Sequence, residues 1–345
     1  RKRRFVTARG TGRAVFHASL AGALIALLAW AGCARRPMVA VPPDPWPAVI
    51  AAADDDVSAG CYRCLERALA GYERVLAARP DPAVAARAYR TAVRLAMRDR
   101  LLGLYPAPHE NAPGRLRAQA ASDDVAAADE VLPVVAWRRG TLGVNVGLNV
   151  SRMDLPKLRV HRAALEAKAD ADPWMAELLL ALVGSQPWVA LEEGQRIAGR
   201  ITPGLDPDVW WRRHPEDVAL TFLRLVMLRE TTIEDWQLLQ LRHPEFVEAD
   251  AFIGDQELWR GRLVSSEEAL ARSLQAFPEM LASAALRADI RQQMEDYGLA
   301  LELYDVALAR HPEHREALLG RMRVLGFMQR HEDALVVADR LMALG

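Results

Sequence analysis

The chain has 345 residues, with 44 Lys plus Arg against 45 Asp plus Glu and a net charge of −1. At 51% hydrophobic and 26% charged residues it has a folding composition, and its length suits two domains or one elongated one. The charge balance argues against an electrostatic nucleic-acid binder, and three Cys argue against a disulfide-dense mini-protein or a classical four-ligand zinc finger.

The start reads as an address. Arg1-Lys2-Arg3-Arg4 precedes an uncharged apolar run from Ala18 to Trp30, then Ala31-Gly32-Cys33. A basic start, a short apolar core and small residues before a cut site describe a secretory signal. The run falls short of the roughly 20 residues a membrane-spanning helix needs. Small residues directly before a Cys resemble the lipobox of bacterial lipoproteins, in which the Cys is lipidated and becomes the new N-terminus. Trp30 stands where that motif usually has Leu. An ordinary signal-peptidase cut after Ala31 and an uncleaved anchor are the alternatives. The resemblance implies lipidation at Cys33, and Ala34 after it, rather than Asp, implies the outer membrane. Removing residues 1–32 takes six basic and no acidic residues, leaving 38 (44 minus 6) against 45 and a charge of −7. Attachment would then come from the lipid and not from a basic face.

Residues 34–48 hold Pro37, Pro42, Pro43, Pro45 and Pro47 and read as a semi-rigid tether. Residues 49–104 follow. Their first part, with Asp54-Asp55-Asp56 and Gly60, is a poor helix, but a helix is expected to run to Ala78. Asp81-Pro82 starts a convincing amphipathic helix over 83–104. The centre, 105–212, is irregular. Helices are expected at 115–132, at 156–170, from Asp172-Pro173-Trp174 through Val183 and from Gln186-Pro187-Trp188 through Ile197. Leu142 to Val150 alternates in hydrophobicity, which fits a strand or an irregular Gly/Asn loop.

The last part, 213–345, repeats. Pro244, Pro278 and Pro312 stand 34 residues apart in the phrases His243-Pro244-Glu245, Phe277-Pro278-Glu279 and His311-Pro312-Glu313. That period, with small residues Ala288, Ala300 and Ala307 and aromatic Tyr297 and Tyr304 at the expected places in one unit, resembles the tetratricopeptide repeat, a helix–turn–helix unit. The units run 213–246, 247–280, 281–314 and 315–345. Gly254, Gly261 and Ser266 mark the second, and Ala334 and Ala338 the last. Small residues are needed where the helices of a hairpin touch. Ala68, Tyr72 and Pro80 keep the same register in a degenerate unit over 49–82. The resemblance implies an all-α, right-handed repeat solenoid with an irregular helical centre.

It also implies a partner-binding groove. The groove positions carry Glu248, Asp255, Leu258 and Trp259, then Asp289, Gln292 and Gln293, then Arg323 and Phe327. This acidic, amide and aromatic surface suits an extended peptide with apolar anchors. It lacks the Lys/Asn clamp with which some family members hold a C-terminal carboxylate. Trp236 is expected in the core.

Little else carries chemistry. Cys61 and Cys64, three apart at a helix start, are a possible disulfide; inert thiols or thiol redox chemistry are the alternatives. No thioredoxin-like pattern surrounds them, and no second Cys pair completes a zinc site. His311 and His314 flank Pro312 at a repeat junction and read as a turn element. No phosphate loop, nucleophile elbow or metalloprotease motif occurs. The sequence therefore suggests no catalytic residue, cofactor or metal. It suggests a non-enzymatic protein-binding scaffold in the bacterial envelope, facing the periplasm and lipid-anchored, whose partner is an envelope protein or peptide and not nucleic acid. A periplasmic small-ligand-binding component of a transport system, built in the 105–212 centre, is the alternative.

Overall fold

A computed structural model describes residues 44–132, 155–184, 208–227 and 231–344. The expected signal with Cys33, most of the expected tether, the alternating stretch 142–150 and the helix expected from Gln186 lie outside the described residues. Sixteen α-helices are described: α1 Trp46–Ala59, α2 Tyr62–Ala78, α3 Pro82–Leu102, α4 Ala112–Leu116, α5 Ser122–Val131, α6 Leu155–Ala169, α7 Pro173–Gly184, α8 Asp208–Arg213, α9 Val218–Met227, α10 Ile233–Arg242, α11 Ala249–Trp259, α12 Leu263–Ala276, α13 Leu281–Gln293, α14 Tyr297–Arg310, α15 Arg315–Phe327 and α16 His331–Ala343. Among the described residues there is no strand, only an isolated antiparallel bridge between Leu104 and Met280. No helix among them is long and apolar enough to cross a membrane. Neighbours in sequence pack as neighbours in space, giving a solenoid-like all-α architecture.

Local signals set the helix ends. Asp81 caps α3 by accepting from the Ala83 and Val84 N–H groups, and Gly103 ends it in the left-handed region at φ 61°. Thr232 and Asp235 form a capping box on α10. Two differences from the sequence reading stand out. α1 is an intact helix that begins inside the expected tether and runs through Asp54, Asp55 and Asp56. Its acids are held by neighbouring helices: Tyr72 and Arg87 donate to Asp54 at 2.6 and 2.7 Å, and Arg67 to Asp56 at 2.7 Å. The helix expected over 115–132 is broken after a short 3-10 turn, Arg117–Gln119. Asp123 and Asp124 in the first turn of α5 favour a new N-terminus there, and Arg90 grips Asp124 at 2.9 and 3.0 Å.

The 34-residue period is present in the backbone. His243, Phe277 and His311 each end a helix, donating their N–H to the carbonyl four residues back, and Pro follows. Within each hairpin the turn is made by a left-handed residue, Gly261 (φ 73°), Glu295 (φ 61°) and Gln329 (φ 58°). The small residues lie where helices meet. Ala288, Ala300 and Ala307 are fully buried, and a Cβ on Gly254 would lie 2.6 Å from Leu270 Cγ. A Cβ on Gly320 would enter the ring of Tyr304, which is buried and donates to Asp289 at 2.5 Å. An exposed helical Gly→Ala change gains up to about 1 kcal/mol. Gly320→Ala is expected to have the opposite sign, a loss of about 1–3 kcal/mol from overpacking, read as a lower urea midpoint. An unchanged or raised midpoint would show that α14 and α15 do not approach this closely.

The N-terminal hairpin docks on the recurring turns. Arg67 pairs with Glu245 at 2.8 Å, and Arg63 lies 3.7 Å from Glu279 and donates to the Ala276 carbonyl at 3.0 Å. Tyr105 stacks on His311 with centroids 4.0 Å apart. Three successive turns, each 34 residues on, thus receive a side chain from α2 or from the segment after α3. Beneath them Trp236 stacks on Phe252 at 4.5 Å, fully buried in the core.

Candidate functional site

The first helices of the repeat hairpins, α11, α13 and α15, pack side by side, which brings the residues at their last turns into one row. Trp259, Gln293 and Phe327 hold equivalent places in that row and all three are exposed, Trp259 at 73% and Phe327 at 57%. Phe327 stacks on Tyr297 at 5.4 Å, so its ring is braced from one side. The Trp259 indole interacts with the Asp255 carboxyl one turn earlier and favours its ionised form. Both aromatics are therefore presented to solvent by a specific neighbour and are not loose side chains. Met294 and Met328, each one residue after the row positions in α13 and α15, are also exposed.

Not every expected groove residue lies on that surface. Asp289 and Arg323, one period apart, pair at 3.0 Å across α13 and α15, and Arg323 stays exposed. Leu258 is half-buried against the core and Gln292 is half-buried with its Oε1 lacking a hydrogen-bond partner. Asp255 is 2% exposed, and burial pushes its carboxyl up to about 8 although the Trp259 bond pulls the other way. Glu248 departs furthest from the expectation. It is fully buried, binds Arg98 at 2.9 Å and accepts the Tyr62 backbone N–H at 2.8 Å. It is an internal fastener and is closed to any partner.

Cys61 and Cys64 are joined as a disulfide, with both residues buried. Cys61 also caps α2: its Sγ accepts the Cys64 N–H at 3.0 Å. Glu245, from the first recurring turn, places a carboxylate oxygen 3.2 Å from Cys64 Sγ. His314 caps α15 through Nδ1, which accepts the Ala317 N–H at 3.1 Å, and burial lowers its affinity for a proton. His311 and His314 stand edge to face at 5.7 Å, and each ring has its own structural task.

Two buried polar clusters escape sequence reasoning. Tyr62 donates to Asp99 at 2.6 Å beside His109, whose Nδ1 lies 3.2 Å from the same carboxylate oxygen. Burial, then Asp99, pushes the Tyr62 phenol far above its ordinary range. In the centre Arg94 pairs with buried Glu177, whose carboxyl burial raises to about 7. The amphipathic helix expected over 83–104 already put Arg90, Arg94 and Arg98 on one helix, but nothing hinted at their acidic partners. A cleft between α5 and α6 holds about 120 Å³, lined by Asp123, Ala127, Leu165, Lys168 and Met175. Pockets for drug-sized ligands measure about 300–1,000 Å³.

Comparison with known proteins finds no family model and no curated protein that matches the chain in sequence.

Proposed function

We propose that the chain is a tetratricopeptide-like, right-handed helical scaffold that binds an extended peptide or the unfolded segment of an envelope protein along α11, α13 and α15. In this reading residues 1–33 direct export, Cys33 carries the lipid, and the body faces the periplasm from the outer membrane without enzymatic activity. The observation that carries it is the row of equivalent exposed positions with Trp259 and Phe327 at its ends. Aromatic anchors braced by a neighbour and flanked by amide and charged groups are what a peptide-binding surface uses, because they bury much area at small entropic cost. The partner is expected to bring apolar side chains at matching intervals. It is also expected to bring a basic residue, since the mature chain is acidic.

A photo-crosslinking residue placed at Gln293, between the anchors, tests this in living cells. A discrete envelope adduct is expected, and Trp259→Ala should reduce it about thirtyfold or more, the usual loss for an aromatic hot spot of 2 kcal/mol or more. No adduct at Gln293, or one that Trp259→Ala leaves unchanged, would remove the groove from the account.

A further inference from the structure

The disulfide has a third neighbour that a staple does not require. Glu245 lies 181 residues from Cys64 in sequence, yet its carboxylate oxygen and the two sulfurs all fall within 4.8 Å of one another. We propose that Cys61, Cys64 and Glu245 form a redox-gated site for a thiophilic divalent cation of the zinc class: closed as the disulfide, and opened by reduction.

The surroundings favour the thiolates the site requires. Cys61 is the N-cap of α2 and Cys64 lies in its first turn, so the positive end of the helix dipole stabilises negative sulfur. Two thiolates and one carboxylate carry three negative charges; a divalent cation and the Arg67 guanidinium, 2.8 Å from Glu245, neutralise them together. The sulfurs are buried, which favours a small ion over exchange with a bulky protein thiol. Glu245 sits on the exposed turn and its side chain is 63% accessible, so the ion has a route in from its carboxylate side. Sulfur with carboxylate oxygen is a donor set that zinc accepts. The steps balance. A dithiol gives two electrons and two protons to the Cys61–Cys64 bond and leaves as its own disulfide. The metal then displaces two protons from the sulfurs.

The test uses the full chain and cadmium as the probe. The protein is reduced with a dithiol, freed of it anaerobically, and titrated with Cd²⁺ while the thiolate-to-metal ultraviolet band and far-ultraviolet helicity are followed. One equivalent is expected to bind the reduced chain, with displacement by Zn²⁺, and none the oxidised chain. Cys61→Ser/Cys64→Ser, which keeps Cys33, should lose the band. Glu245→Gln, a change at an exposed turn, should weaken binding at least about tenfold, as loss of a metal ligand's support does. If reduction alone melts the helices, recovery on adding metal supports the site, and failure to recover overturns it. A reduced wild type without the band, or a band that Glu245→Gln leaves at full strength, also overturns it.

Discussion

Glu248→Ala is expected to lower the stability of the chain by about 3–5 kcal/mol, the usual cost of leaving one member of a buried ion pair without its partner. Three distant segments meet at this carboxylate. Arg98 on α3 donates to it at 2.9 Å, and the Tyr62 N–H at the start of α2 at 2.8 Å. Arg98 also donates to the Gly60 carbonyl at 3.1 Å, and its guanidinium lies 3.5 Å from the centroid of Phe222 on α9. Burial favours the neutral form of both partners: it lowers the Arg98 pKa to about 10 and raises that of Glu248. At neutral pH Arg98 still carries its charge, so removing Glu248 strands a cation in the core. The double variant Arg98→Met/Glu248→Leu distinguishes the pair's net value from the cost of breaking it. Apolar replacement of a buried pair is often neutral or better, while the orphaned Tyr62 N–H and Gly60 carbonyl each cost about 1 kcal/mol. The double variant should therefore recover about 1–3 kcal/mol of the loss, measured by urea denaturation. A double variant no more stable than Glu248→Ala would mean that the pair itself, and not the stranded charge, carries the stability.

The same residue shows what a sequence reveals of such a chain and what it conceals. The 34-residue spacing of Pro244, Pro278 and Pro312 marks where helices end, because Pro cannot continue one and the residue before it is pushed out of the helical region. The Ala and Gly residues of the hairpin contacts were legible for a steric reason. The left-handed turns at Glu295 and Gln329 were not, since only Gly261 wears the residue type that advertises that conformation. Period also assigns a face only relative to neighbouring repeats. Glu248 holds a groove position by period, but Arg98, 150 residues away, closes over it. Likewise Asp54 to Asp56 looked hostile to a helix because Tyr72, Arg67 and Arg87 were not visible as their partners. The exposed row of Trp259, Gln293 and Phe327 was legible, since nothing from elsewhere in the described chain covers it. What fails to be read is long-range charge pairing, which leaves no local pattern.

Asp255→Asn is expected to stabilise the protein at neutral pH, by on the order of 4 kcal/mol, and to flatten its acid–base profile. Asp255 is 2% exposed, one carboxyl oxygen lacks a hydrogen-bond partner, and burial raises its pKa from 3.8 to about 8. The native state therefore prefers the protonated acid. Its contribution to stability is complete below about pH 4, where folded and unfolded forms both hold the proton. It is lost progressively as pH rises towards 8, because the unfolded chain releases its proton first. Each pKa unit between the two states corresponds to about 1.4 kcal/mol, and roughly three units separate 3.8 from pH 7. Asparagine keeps the shape and an oxygen facing the Trp259 indole, and has no proton to release in the unfolded chain. Denaturant midpoints between pH 4 and 8 should fall steadily for the wild type relative to the variant, and the two should converge near pH 4. A constant gap across that range would mean that the Asp255 carboxylate is stabilised by its surroundings. The variant also bears on binding. If Asp255 serves only to aim Trp259, Asp255→Asn should leave the Gln293 crosslink intact while Trp259→Ala abolishes it. An Asp255→Asn variant that is more stable but has lost the adduct would make the Asp255 carboxyl itself part of the recognition surface, retained for binding at the expense of the fold.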